Sequence, residues 1–121
     1  MRKKEFEVPI YYFKVIFIEI QSVKDTEDVN ALMESLGIGQ EQIAEAIDNI
    51  KGEKVDGGST YYSNETKIIT VLMYKPSSKA ARRYTAGHEK RHIEDRILKC
   101  CQIDDMEAAA YLAGFLSEKI Y

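Results

Sequence analysis

The stretch that most limits how this chain can fold is residues 8 to 20, VPIYYFKVIFIEI. β-Branched and aromatic side chains fit the pleated, packed surface of a strand. Almost every position is apolar, so a strand from about Tyr11 to Ile20 presents apolar side chains to both sides and needs cover on both. A second such stretch, TKIITVLMY, lies at residues 66 to 74. The rest of the chain must therefore supply helices that bury a small sheet.

The helices are legible in the apolar spacing. Val29, Leu32, Met33 and Leu36 recur at i, i+3, i+4, i+7, one face of a helix. Asp25 or Thr26 is placed to cap its start and Gly37 to end it. Ile43, Ile47 and Ile50 repeat the pattern, with Gly52 as the stop. Two strands follow, Ser59 to Ser63 and Lys67 to Tyr74, around the turn residues Asn64 and Glu65. Pro76 stops the second. Ser77 or Ser78 then caps a long helix, Lys79 to Cys101, and Asp104 and Asp105 open a last one. The order β, α, α, β, β, α, α makes the expected fold class α+β.

Composition bounds the function. The chain has 121 residues, the size of one domain, with a net charge of -3. That balance argues against a dedicated nucleic-acid binder. No apolar run reaches the ~18 residues of a membrane helix. The opening MRKKEFE reads as a basic lead-in to the strand. The apolar run after it is broken by Lys14 and Glu19 and shows no small-residue cleavage site. The adjacent cysteines Cys100 and Cys101 suggest no disulfide framework, which fits a cytoplasmic protein.

Both histidines of the chain fall in GHEKRHIED, residues 87 to 95, inside the long helix. At about 100° per residue, His88 and His92 lie about 40° apart on one side, while Ala86, Ile93, Ile97 and Cys100 lie roughly opposite. Two imidazoles at i and i+4 can close on one Zn²⁺ at about 2.0–2.1 Å per bond. Glu89 sits to the side of that pair, where a carboxylate can accept a proton from water that the metal has acidified. HExxH thus specifies two ligands and a general base. The plainer alternative is a solvated helix face supported by charge pairs.

Catalytic zinc normally has three protein ligands. Asp95 shares the histidine side but lies about 10.5 Å along the axis from His88, better placed to orient the His92 imidazole. Glu107 on the next helix is the candidate third ligand. The short link QIDD favours an antiparallel return that could bring it back towards His92. The competing reading of Glu107 is a capping-box residue three positions after Asp104. Lys90 falls inside the apolar arc and must snorkel or find a partner. Tyr84, one turn before His88, is the preferred hydrogen-bond donor to a developing oxyanion; Tyr61 and Tyr62 are the others.

RRYTAGHEKRH followed by DDMEAAAYLAGFL resembles the short zinc metallopeptidases of bacteria, phages and mobile elements, the ImmA/IrrE type. The resemblance covers residues 57 to 116 and rests on Arg82, Arg83, Thr85, His88, Glu89, His92 and Glu107. It implies a minimal zincin-like domain spanning residues 1–121, with a small sheet whose edge strand receives an extended peptide above the metal. It also implies peptide-bond hydrolysis with His88, His92 and Glu107 on Zn²⁺ and Glu89 as base. Lys90 and Arg91 depart from the small or apolar residues usual between the glutamate and the second histidine. Two other readings follow from the residues. One is a non-catalytic interaction protein of a mobile element with a vestigial or structural metal site. The other is a DNA-associated regulator using residues 25 to 50.

Overall fold

Alternation along the strands builds a sheet with two apolar faces. In the computed structural model, which describes residues 1–63 and 67–121, four strands form one mixed sheet. They are β1 (Arg2–Val8), β2 (Phe13–Glu19), β3 (Gly58–Tyr62) and β4 (Ile68–Met73), in the order β1-β2-β4-β3. β2 and β4 run parallel at the centre, and an antiparallel strand flanks each. The helices are α1 (Thr26–Ser35), α2 (Gln40–Lys51), α3 (Lys79–Cys100) and α4 (Met106–Ile120). The class is α+β, as the sequence indicates.

Phe13, Val15, Phe17, Ile69, Val71 and Met73 face α3 and α4, in one cluster with Ile93, Ile97, Leu112 and Leu116. Ile16, Ile18, Ile20, Leu72 and Tyr74 point the other way, onto Val29, Met33, Ile43 and Ile50 of α1 and α2. The sheet is therefore the middle of three layers, and the expected cover on both faces of the central strand is present. Among the described residues, no helix is long and apolar enough to cross a membrane.

Two local features differ from the sequence expectation. Residues 2 to 8 form the edge strand β1 rather than a lead-in: Phe6 and Val8 turn inward while lysines and glutamates face solvent. Asp25 precedes α1, but its carboxylate does not cap that helix. It accepts the Gln21 and Ser22 amides and the Met1 amino group, closing a short 3₁₀ turn at Val23–Asp25. At α4, Asp105, one of the two expected caps, accepts the Glu107 and Ala108 amides. Ser78 caps α3 by accepting the Ala81 amide, and Gly52 ends α2, both as expected. The turn at Asn64 and Glu65 lies outside the described residues.

Candidate metal centre

α3 carries the HExxH residues because its spacing serves two neighbours at once. Ala86, Ile93 and Ile97 are fully buried against the sheet and α4. The polar side carries His88 and His92, both exposed. Their Nε2 atoms lie 3.2 Å apart and the rings meet edge to face. A tetrahedral ion with bonds of about 2.0–2.1 Å has ligand–ligand edges of about 3.3–3.4 Å. The 3.2 Å separation matches such an edge, and it is equally the length of a direct hydrogen bond between the two rings; the donor type suits zinc.

Glu89 differs from its neighbours: it is 2% exposed. The Thr60 hydroxyl of β3 donates to its Oε2. The strand comes this close because residue 58 is glycine. A Cβ there would lie 2.8 Å from the Leu72 carbonyl oxygen, 3.2 Å from Thr85 Cγ2 and 3.3 Å from Glu89 Cγ. β3 thus packs directly onto the turn of α3 that carries the motif. Further along, the Tyr62 hydroxyl reaches the His92 carbonyl at 3.4 Å, and the Arg96 guanidinium covers the Tyr62 ring.

These contacts leave a groove of about 400 Å³ along β3, lined by Gly58 to Tyr62 and by His88, Glu89 and His92, with Gln42 and Glu45 of α2 on the far side. β3 is the last strand of the sheet. The Ser63 amide donates to Ile68 and the Tyr74 amide to Gly57, so odd-numbered residues of this strand pair with β4. By the alternation of an antiparallel ladder, the amides and carbonyls of Gly58, Thr60 and Tyr62 face outward into the groove.

The remaining candidates sit elsewhere. Glu107 is exposed in the first turn of α4 and is not brought to the histidines. α4 does return antiparallel, but its far end meets the motif: the Tyr121 hydroxyl lies 2.7 Å from where a Gly87 Cβ would be. Glu107 is fourteen residues earlier, roughly 20 Å back along the axis and beside the C-terminal end of α3. Among the described residues, no group of three or more His, Cys, Asp or Glu side chains is gathered to hold a metal. Asp95 pairs with Arg91 at 3.2 Å rather than with His92. Tyr84 is 81% exposed and does not line the groove; Tyr61 and Tyr62 do. Burial, foremost, pushes the Tyr61 hydroxyl up to about 12 and raises that of Tyr62, so both are held protonated. Lys90 finds Glu94 at 2.7 Å, a pair with only 15% and 8% of its side chains exposed. Thr60, Gln42 and Glu45 are site residues that the sequence did not reveal. No local pattern marks them, because the sheet order alone brings β3 and α2 to α3.

Compared with protein-family models, curated proteins and solved structures, the chain matches none.

Proposed function

We propose that the chain is a zinc-dependent peptidase that takes an extended protein segment as an added strand on β3. The observation that carries this is the placing of His88 and His92 Nε2, 3.2 Å apart, on the wall of a groove whose floor is a free strand edge. Zinc, when bound, would polarise a carbonyl oxygen and acidify water. His88 and His92 would hold it. The outward amides and carbonyls of Gly58, Thr60 and Tyr62 would pair with the segment's backbone and set its height above the histidines. Glu89, fixed by the Thr60 hydroxyl, would receive the proton of the attacking water and return it to the leaving amine.

One observation favours a second reading, a peptide-binding protein that does no chemistry. Only two metal-type side chains converge among the described residues, and Glu107 is not the third. Metal analysis and hydrolysis assays separate the two. On the peptidase reading, purified protein retains about one zinc per chain, His88→Ala loses it, and Glu89→Gln keeps the metal but loses cleavage of unfolded protein substrates. Glu107→Gln leaves zinc affinity unchanged. Absence of zinc after reconstitution, or cleavage equal in parent and Glu89→Gln, rejects the peptidase reading.

A further inference from the structure

The free edge of β3 runs between two unlike walls. The α3 wall carries the histidines, with the Arg96 guanidinium nearby over the Tyr62 ring. The α2 wall carries Gln42 and Glu45. Glu45 is exposed, and no ion pair joins it to a lysine or arginine among the described residues. Its carboxylate is close enough to the Tyr61 and Tyr74 hydroxyls to add, after burial, to the forces opposing their ionisation.

The strand's own alternation says what a bound segment meets. Gly58 and Thr60 face the Thr85 and Glu89 side chains of α3, and Tyr62 packs in the α3-side cluster. Tyr61 packs in the α2-side cluster. A segment added to this edge continues the sheet, so its side chains alternate in the same way. A residue opposite Thr60 turns towards the histidines, and its two neighbours turn towards α2. There the exposed Glu45 carboxylate, which has no ion-pair partner among the described residues, meets them. A lysine or arginine stem can lie along the apolar strand face while its head reaches the carboxylate.

We infer that this groove selects extended peptide segments carrying Lys or Arg at alternate positions, with those side chains against α2 at Glu45. The inference rests on the strand-addition part of the proposed function and does not depend on zinc or on cleavage. Dye-labelled peptides and fluorescence anisotropy at low ionic strength test it in full-length Glu89→Gln protein. One peptide alternates Lys with Val, one alternates Glu with Val, one alternates Thr with Val, and one has the composition of the first with its lysines in a block. The alternating lysine peptide should bind tightest. Glu45→Gln should weaken it by about threefold to fivefold, the size of one exposed ion pair, and leave the threonine peptide unchanged. Glu45→Lys should reverse the order of the lysine and glutamate peptides. The inference is overturned if the lysine and glutamate peptides bind alike, if Glu45→Lys leaves their order unchanged, if the block peptide matches the alternating one, or if none binds. Loss of cleavage or of zinc in the separate assays leaves a positive result standing, and loss of the charge preference with binding intact leaves the peptidase reading standing, so the two failures are distinguishable.

Discussion

Thr60 and Glu89 show how one hydroxyl can decide the state of a site. Glu89 lies under β3 with almost no solvent contact, and the Thr60 hydroxyl is a direct partner of its carboxylate. Leaving a buried acceptor without its donor costs about 1–3 kcal/mol, more where the acceptor is charged. Thr60→Val keeps the shape and removes the donor, so it should lower unfolding stability by at least that range. Thr60→Ser, which restores the hydroxyl, should recover most of the loss. Urea denaturation of the three proteins measures this; equal midpoints for Val and Ser would mean that the hydroxyl contributes nothing. Lys90 is the counterpart on the other side of the helix. Its position in the apolar arc looked awkward in the sequence, and the Glu94 carboxylate one turn on satisfies it.

At the scale of elements, the approach of β3 to α3 depends on Gly58. Gly58→Ala would place a Cβ 2.8 Å from the Leu72 carbonyl oxygen, a backbone atom that cannot rotate away. The strand must then shift from β4 and, with Thr85 Cγ2 at 3.2 Å and Glu89 Cγ at 3.3 Å from the same Cβ, from α3 as well; overpacking of this kind costs about 1–3 kcal/mol. The variant should unfold earlier and show altered His88 and His92 imidazole signals by NMR; unchanged signals would mean that strand position does not govern the motif. Gly87→Ala makes a useful contrast, since its Cβ would meet only the end of the Tyr121 side chain. Much of this element scale was legible in the sequence. The helical spacing of Ile43, Ile47 and Ile50 and the cap at Ser78 identify α2 and the start of α3 almost to the residue. β1 was not legible, because RKKEFEV buries only Phe6 and Val8 along its length. Charged edge strands of this kind protect a sheet from edge-to-edge pairing and conceal the strand from composition. Glu107 was misplaced for a different reason. Loop length reveals that two helices return antiparallel, but their axial register is set by side-chain packing such as that of Tyr121 on Gly87. The groove wall at Glu45 depends on strand order, which no short motif encodes.

At the scale of the molecule, one sheet serves two cores, so loss of either should unfold both. The α2-side core contains two tyrosine rings, Tyr61 and Tyr74, and offers a way to break it by pH alone. Burial, foremost, pushes the Tyr61 hydroxyl up to about 12 and raises that of Tyr74. An unfolded tyrosine ionises near ~10. A folded value raised above the unfolded one means that the folded chain holds its proton longer. The associated stability is complete below pH ~10 and drains away as pH climbs from there towards 12. Phenolate absorbance and far-ultraviolet circular dichroism, followed in one alkaline titration, test this. The buried tyrosines should ionise together with the loss of dichroism, in a steeper step. Tyr61→Phe removes an ionisation that favours the unfolded chain, and should move that step to higher pH even if it loosens the protein near neutrality. Ionisation of Tyr61 and Tyr74 in a shallow phase ahead of unfolding would show that the two rings are not packed between the sheet and α2. The wall that carries Glu45 would then lose its support.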